Sequence, residues 1–268
     1  MKETYSELLK EINGFQIVDR KPVVAVCGLM NAGKSYLLNM LTQHTDEEFF
    51  KTNDIRETAE VKSFETNDCI FLDTPGLDAS EADDETAIKG AFQADVYLFV
   101  HQPQGELEPI EHNILKNLVA HLSENASKHI IMVFSKTDKD RTENTENIEK
   151  IKLKSLAQIK AHLGFELKSF NVSGKLYLAG VKNQKSIMID NSHIAELAEY
   201  LQGLVRKLDT KKAQQTKYLN TINLHLKELE IKRNDLDKKI NSHEQDLNNE
   251  FSNFQSIIKS IKNQISRV

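Results

Sequence analysis

The sequence predicts an α/β domain with a mostly parallel central sheet, followed by a long C-terminal helical region. Two observations predict this arrangement. Continuous apolar runs alternate with amphipathic stretches, which is typical of parallel strands covered by helices on both faces. Beyond Leu219 the apolar residues recur every three or four positions, and no proline or glycine follows Gly203. That second pattern favours a coiled coil or long antiparallel helices.

The strands are predicted where β-branched and aromatic residues are concentrated between turn-forming residues. Asn67 and Asp68 form a turn signal between two of them, so we expect those two strands to form a hairpin. In chain order, the predicted strands are Val23–Cys27, Val61–Glu65, Cys69–Leu72, Val96–Val100, Ile130–Phe134 and Leu167–Val172.

The helices are predicted where apolar residues line one face at a spacing of three or four. Pro109 suits the first turn of one helix, and Gly164 is a typical residue at the end of another. In chain order, the predicted helices before the tail are residues 1–13, Ser35–Gln43, Glu108–Leu122, Ile148–Leu163 and Ile194–Leu208.

The charge balance changes sign toward the C-terminal end. Residues 206–268 carry 13 Lys and Arg against 8 Asp and Glu, whereas the remainder carries 22 and 32. Because this shift coincides with the change of pattern, three parts are predicted. They are an N-terminal helix over residues 1–14, the α/β domain over residues 15–205, and a helical coiled-coil tail over residues 206–268.

The composition indicates which kinds of partner and which cellular location to expect. The net charge is −5 and the pI is near 6.0, so nucleic acid is not the expected partner. No apolar run reaches the ~18 residues of a membrane span, and no signal-peptide core follows Met1. The expected location is cytoplasmic, with peripheral membrane association left open. His101, His112 and His129 lack metal-ligand spacing and are predicted to be surface or capping residues.

The stretch GLMNAGKS fits the pattern G-x-x-x-x-G-K-S and lies between a predicted strand and a predicted helix. Its glycines allow a tight turn in which backbone N–H groups converge on phosphate oxygens beside the helix N-terminus. Lys34 is expected to reach the β- and γ-phosphates, and Ser35 to place its hydroxyl on Mg²⁺. The predicted nucleotide contacts here are Gly28, Asn31, Ala32, Gly33, Lys34, Ser35 and Tyr36.

A second motif, DTPGL, ends the third predicted strand. The carboxylate of Asp73 is placed to hold Mg²⁺, either directly or through water. The backbone N–H of Gly76 can reach the γ-phosphate. This motif follows the phosphate loop by 45 residues, so a nucleotide site explains it better than an isolated turn does.

Two more motifs follow the fifth and sixth predicted strands and can bind the base. In SKTD, the Asp138 carboxylate can accept hydrogen bonds from guanine N1–H and from its exocyclic amine, a donor pair that adenine lacks. The aliphatic stem of Lys136 can lie over the base plane. A backbone N–H of the following SGK motif can donate to guanine O6. The predicted base contacts are Lys136, Asp138, Ser173, Gly174 and Lys175.

These four motifs, in this order, resemble the guanine-nucleotide boxes of the translation-factor-like (TRAFAC) class of P-loop GTPases over residues 20–205. The likeness is strongest to the branch that holds the Era/MnmE-like GTPases and the dynamin-like proteins. NAGKS before a leucine-rich helix resembles that branch, as does ADVYLFV followed by GELEPIE. The resemblance implies a P-loop GTPase domain that binds GTP or GDP with Mg²⁺ and hydrolyses GTP.

The resemblance also implies a threonine in the first switch loop, which would cap Mg²⁺ and the γ-phosphate only while GTP is bound. Thr58 fits this role best because it lies just before Val61, and Thr52 is the alternative. The implied metal ligands are Ser35, Thr58 and Asp73. The residues implied to act in hydrolysis are Asn31, Lys34, Thr58 and Gly76.

The sequence departs from the family pattern in ways that bear on hydrolysis and affinity. Leu77 stands where many members carry a water-orienting Gln, so we expect slow hydrolysis without dimerisation, potassium or an activator. Family members use an Asn at the position of Asn31 to ligate K⁺. Asn31 can ligate K⁺ here, or it can only form a hydrogen bond to the loop backbone. Arg56 is an alternative source of positive charge for hydrolysis. Ser135 replaces the usual Asn, so we expect a lost contact to guanine or to the phosphate loop and modest nucleotide affinity.

Three functions remain open from the sequence. The first is a GTP-hydrolysing switch whose tail dimerises or couples nucleotide state to a partner. The second is a small dynamin-like GTPase that dimerises head to head at a membrane. The third is a non-hydrolysing GTP-binding adaptor, which Leu77 and Ser135 keep open. Beside the guanine nucleotide, the expected partner is a second copy, bound through the GTPase domain, the coiled coil or both.

Overall fold

The computed structural model describes residues 14–51, 62–74, 94–138 and 145–265. The strands are β1 Val23–Cys27, β2 Lys62–Glu65, β3 Ile70–Asp73, β4 Val96–His101, β5 Ile130–Phe134 and β6 Lys168–Asn171. The helices are α1 Lys34–Leu41, α2 Pro109–Leu122, α3 Ala126–His129, α4 Thr145–Leu163, α5 Gly174–Lys182, α6 Ser186–Asp190, α7 Ile194–Val205 and α8 Thr210–Ile265. Within these ranges the strands form one six-stranded sheet in the order β2-β3-β1-β4-β5-β6.

Among the described residues, every strand pairing is parallel except the β2–β3 hairpin, which confirms the predicted fold class. In the centre of the sheet, Val24 lies opposite Val96, and His101 lies opposite Phe134. Strands β1, β4 and β5 are buried at every position, which explains their continuous apolar sequences. Their carboxyl ends share one edge of the sheet, where ligands bind in open α/β folds.

Two apolar layers lie on opposite faces of the sheet because successive strand side chains point to opposite sides. In β1, Val23, Ala25 and Cys27 belong to one layer, together with apolar residues of α2 and α4. Val24 and Val26 belong to the other layer, together with apolar residues of α1 and α7. The helix that follows the phosphate loop is therefore fixed to the sheet by its own apolar face.

Helix α8 runs unbroken from Thr210 to Ile265, so the alternative of antiparallel helices within the tail is wrong. Residues Phe15–Asn220 form one compact unit, and the chain from Thr221 onward belongs to a second. The first turns of α8 therefore group with the sheet, and the Tyr218 ring stacks on Phe15 with ring centroids 3.8 Å apart. The contacts divide the chain at residue 220, whereas the predicted boundary lies at residue 205. None of the described helices combines the length and apolar content needed to cross a membrane.

Two local features differ from the prediction. Helices α3, α5 and α6 were not predicted, and Gly174 and Gly180 are unfavourable helix signals within α5. Gly180 is explained by the close approach of α6, because a Cβ there would lie 2.9 Å from the backbone nitrogen of Ile189. The prediction for His101 is wrong, since its imidazole is buried and lies 2.8 Å from Glu111 Oε1.

Candidate functional site

The phosphate loop joins β1 to α1 in a conformation that glycine permits. Gly28 has φ 145° and Gly33 has φ 97°, both in the region that favours glycine. A Cβ at Gly28 would lie 2.2 Å from the carbonyl oxygen of Val100, so no larger residue fits there. The Lys34 ammonium donates to the Leu29 carbonyl at 2.8 Å. The lysine side chain therefore lies across the loop that it is predicted to serve.

Ser35 and Asp73, two of the predicted Mg²⁺ ligands, are in direct contact. The Ser35 hydroxyl donates to Asp73 Oδ2 at 2.6 Å, joining the start of α1 to the end of β3. The second carboxylate oxygen, Oδ1, is buried and has no hydrogen-bond partner among the described residues. Burial raises the pKa of Asp73 despite the Ser35 hydrogen bond and the nearby charge of Lys34. A buried carboxylate oxygen without a donor, beside a hydroxyl, fits Mg²⁺, which prefers oxygen ligands.

Asp138 and Ser173 come together on the base side of the site. The Ser173 hydroxyl donates to Asp138 Oδ1 at 2.7 Å and accepts a backbone N–H in the first turn of α5, which it caps. The Tyr36 ring packs on Gly174, where a Cβ would lie 2.5 Å from the ring Cε1. Burial, followed by the carboxylates of Asp138 and Glu48, raises the pKa of Tyr36. Helix α1, which follows the phosphate loop, therefore contacts the first residue of α5 directly.

Two residues after β5 hold the phosphate loop in place. The buried Ser135 hydroxyl donates to the Ala32 carbonyl at 2.6 Å. Lys136, with φ 56°, donates to the Asn31 carbonyl at 2.6 Å and to Gln102 Oε1 at 2.7 Å. From the sequence, Ser135 is expected to lose a contact either to guanine or to the phosphate loop, and the contact to the phosphate loop is present. The shorter side chain bonds the loop backbone without an amide.

Buried polar residues that the sequence analysis missed also support the site. Thr74 follows the aspartate of the second motif and donates to the Val26 carbonyl at 2.6 Å. The Asn39 amide exchanges two hydrogen bonds with the backbone of Phe50, at 2.7 and 2.9 Å, which fixes the chain shortly before residue 52. Asn39 could have been found, because a polar residue among the apolar residues of a helix requires a partner. The spacing around Thr74 carries no such signal.

The residues predicted for switching and water activation lie outside the described residues. These residues are Thr52, Arg56, Thr58, Gly76 and Leu77. Asn31 and Lys175 are described and exposed, and the role of the Asn31 side chain toward K⁺ stays a prediction. The other predicted residues follow or end β1, β3, β5 and β6, and a nucleotide site formed by them stays a prediction.

The phosphate loop after β1, the aspartate that ends β3 and the base-side motifs after β5 and β6 together give this domain the fold of a P-loop GTPase domain. In sequence it is similar to the GTPases of the translation-factor-like class. The profile of the family described as 50S ribosome-binding GTPase matches residues 23–136, which include the phosphate loop and Lys136.

Individual relatives are similar to this chain over part of their length. An uncharacterized protein of Acinetobacter baylyi is 30% identical over 218 residues, which cover 78% of this chain and 48% of that protein. GTPase Der of Serratia proteamaculans is 35% identical over 128 residues, which cover 44% of this chain and 24% of that protein. The chain therefore spans half or less of the length of these relatives.

Solved structures share the fold at low sequence identity. An oligomerised bacterial dynamin pair, described as sensing and tethering membranes, gives a TM-score of 0.54 at 18% identity and covers 99% of this chain and 50% of that chain. A bacterial selenocysteine-specific elongation factor gives a TM-score of 0.51 at 17% identity and covers 71% of this chain and 30% of that chain. At this level of identity the likeness shows the fold alone.

Proposed function

We propose that this protein binds GTP with Mg²⁺, hydrolyses it to GDP and phosphate, and couples the nucleotide state to self-association or to a partner through its C-terminal helix. One observation carries the proposal, namely that hydrogen bonds connect the phosphate loop with the segment that carries the Asp138 carboxylate. Lys136 bonds the loop, and Asp138, two residues later, is held by Ser173. Asp138 can accept both donors of guanine, and adenine offers no such pair.

The residues of the chain would bind and orient the triphosphate, since positioning and charge stabilisation dominate phosphoryl transfer. The N–H groups of the loop and the N-terminus of α1 hold the β- and γ-phosphates. Lys34 exchanges its bond to the Leu29 carbonyl for phosphate oxygens. Ser35 and Asp73 would hold Mg²⁺, which when bound neutralises charge on the phosphate oxygens.

A slow intrinsic reaction is part of the proposal. Leu77 offers no group that could orient the attacking water. Thr58 and Gly76 are proposed to contact the γ-phosphate, and Asn31 to ligate a K⁺ that offsets the developing charge. Dimerisation or an activating protein would supply the remaining stabilisation, so turnover by the isolated chain in sodium buffer should be low.

The test compares the wild type with Lys34→Ala and with Lys116→Ala, which removes an exposed lysine of α2 as the matched control. The wild type and Lys116→Ala should bind GDP and GTP equally well. Lys34→Ala should lose affinity by about 100-fold or more, because it removes a charged phosphate contact. Normal GTP affinity of Lys34→Ala would contradict the site. Tight binding without turnover in any buffer would instead favour the non-hydrolysing adaptor, which Leu77 keeps open.

The dynamin-like alternative differs from this proposal in its location. A GTPase that acts at membranes should co-sediment with liposomes, at least while GTP is bound. The switch proposed here should stay in the supernatant with neutral and with anionic liposomes. Co-sedimentation that depends on GTP would therefore favour the alternative.

A further inference from the structure

The C-terminal helix carries an apolar seam that three polar side chains interrupt. The seam consists of two rows of residues, each spaced by seven along one helix face. The first row is Leu226, Arg233, Ile240, Leu247, Phe254 and Ile261, and the second is Ile222, Leu229, Leu236, His243, Glu250 and Ile257. From Arg233 to Ile261 every seam residue is exposed. A partner that covers this seam must place apolar residues against its apolar residues and opposite charges against Arg233 and Glu250.

Arg233 and Glu250 distinguish the two orientations of a paired helix. In a parallel pair in register, each would face its own copy, and like charges would oppose each other at two levels of the seam. In an antiparallel pair, the first row of one helix faces the second row of the other. With the twofold axis between Asn241 and Ser242, Arg233 faces Glu250 of the second copy, and symmetry repeats the pair.

The same axis aligns the apolar residues. Four apolar pairs form between the two copies in this register. They are Ile222 with Ile261, Leu226 with Ile257, Leu229 with Phe254, and Leu236 with Leu247. Near the axis Ile240 faces His243. A shift of one heptad in either direction would set Glu250 against Leu226 or Ile240, burying an unpaired charge. One register therefore satisfies the charges and the apolar residues together.

We propose that residues 222–261 bind the same segment of a second copy as an antiparallel coiled coil in this register. The inference deepens the proposed function and rests on its claim that the tail self-associates. The paired segment would be about 60 Å long at about 1.5 Å per residue. The predicted N-terminal helix of residues 1–13 would be about 20 Å long, so it could cover only a third of the seam.

Charge reversal tests the orientation by sedimentation velocity on the full chain. Arg233→Glu and Glu250→Arg should each weaken the dimer by about 100-fold or more, because like charges replace both ion pairs. The double reversal should restore the wild-type dimer. Lys238→Glu and Asp235→Arg reverse exposed charges outside the seam and should leave the dimer unchanged. In a parallel dimer, each single reversal would only exchange one pair of like charges for another and would leave the dimer affinity unchanged. Unchanged affinity in both single variants would therefore overturn the proposal.

Cysteine pairing tests the register independently of charge. A mixture of Leu236→Cys and Leu247→Cys chains should form a disulfide-linked dimer under mild oxidation, and neither variant alone should do so. The native thiols Cys27 and Cys69 are buried and should not compete. Linkage of Leu236→Cys to itself would overturn the antiparallel register. A wild-type chain that stays monomeric up to about 100 μM would also overturn the proposal. That result is expected if other residues of the same chain cover the seam.

GTP binding and turnover are measured on the same samples, so that the two proposals can fail separately. Antiparallel dimers without guanine-nucleotide binding would overturn the proposed function and support the tail pairing. A chain that turns over GTP but remains a monomer would overturn the tail pairing and support the proposed function.

Discussion

Ser135 lies buried at the end of β5, where its hydroxyl donates to the Ala32 carbonyl. The next residue, Lys136, donates to the carbonyl of Asn31. Two consecutive side chains therefore hold two consecutive carbonyls of the phosphate loop. The segment that is proposed to bind the base also positions the loop that is proposed to bind the phosphates, so the two halves of the site depend on each other.

Ser135→Ala should weaken GDP and GTP binding alike, by about 3- to 10-fold, since it leaves the buried Ala32 carbonyl without this hydrogen bond. The preference for guanine should not change, because the Asp138 carboxylate is intact. Titration of a fluorescent guanine nucleotide measures the effect, with Ser186→Ala on the exposed side of α6 as the control. Unchanged affinity would mean that the hydroxyl does not position the loop for binding.

Asp138→Asn should shift the preference from guanine to xanthine nucleotides. The substituted amide donates where the additional oxygen of xanthine accepts, and it no longer accepts both guanine donors. Competition between GTP and xanthosine triphosphate measures the shift. Ser173→Ala is the control, because it removes the hydrogen bond to Asp138 while keeping the carboxylate. Ser173→Ala should weaken GTP binding but keep the preference for guanine over xanthine nucleotides. If Asp138→Asn left the specificity unchanged, SKTD would be only a turn.

At the scale of elements, Asp95 joins the start of β4 to two other parts of the domain. It accepts hydrogen bonds from Arg20 at 2.6 and 3.1 Å, from Lys217 of α8 at 2.7 Å and from the N–H of Val23 at 2.9 Å. Lys217 also donates to the Ala94 carbonyl. Burial opposes the charge of Asp95, but Arg20 and Lys217 outweigh burial and hold the pKa of Asp95 below its ordinary value. Burial lowers the pKa of Lys217.

Asp95→Asn should lower the free energy of unfolding by about 3–5 kcal/mol at neutral pH, because it leaves the buried Lys217 and the partly buried Arg20 without their carboxylate. The folded pKa of Asp95 lies below the unfolded value of about 3.9. Its contribution is therefore present above about pH 4 and is lost as the pH falls through the folded pKa. Urea unfolding of the wild type and the variant should differ most at pH 7 and converge in acid. Asp19→Asn, at an exposed carboxylate, is the control. A difference that does not depend on pH would contradict the assignment.

The predicted strands agree with the structure to within one residue at each end. For β1, β4 and β5 the reason is that a strand buried on both faces must be a continuous apolar run. Helix α5 escapes prediction because Gly174 and Gly180 serve contacts with Tyr36 and Ile189 that only the folded chain shows. Helix α6 has only five residues, too few for a periodic apolar pattern. The motifs predict which residues lie at the strand ends. They do not predict the hydrogen bonds that hold the site together, such as that of Thr74, because sequence spacing does not encode contacts between distant strands.

At the scale of the whole molecule, turnover per chain should rise steeply with protein concentration in potassium buffer and stay low in sodium. Pairing and K⁺ would together supply the stabilisation that Leu77 cannot. Asn31→Gly should remove the difference between the two buffers and preserve loop position, since glycine adopts the φ of 60° found at Asn31 and Lys136 bonds the backbone carbonyl there. Repeating the series with Arg233→Glu separates pairing of the GTPase domains from pairing of the tails. Equal turnover in both buffers at every concentration would contradict the role of K⁺.

Strand β4 connects the anchor of the C-terminal helix with the phosphate loop. Lys217 bonds Asp95 just before the strand begins, and the Val100 carbonyl near its other end lies against Gly28. The strand is buried along its six residues, a span of about 20 Å. A pulling force on the helix would therefore enter the same strand that supports the loop. When the tail is tethered, we expect the rate of nucleotide release to vary with tension, which single-molecule force measurements can record.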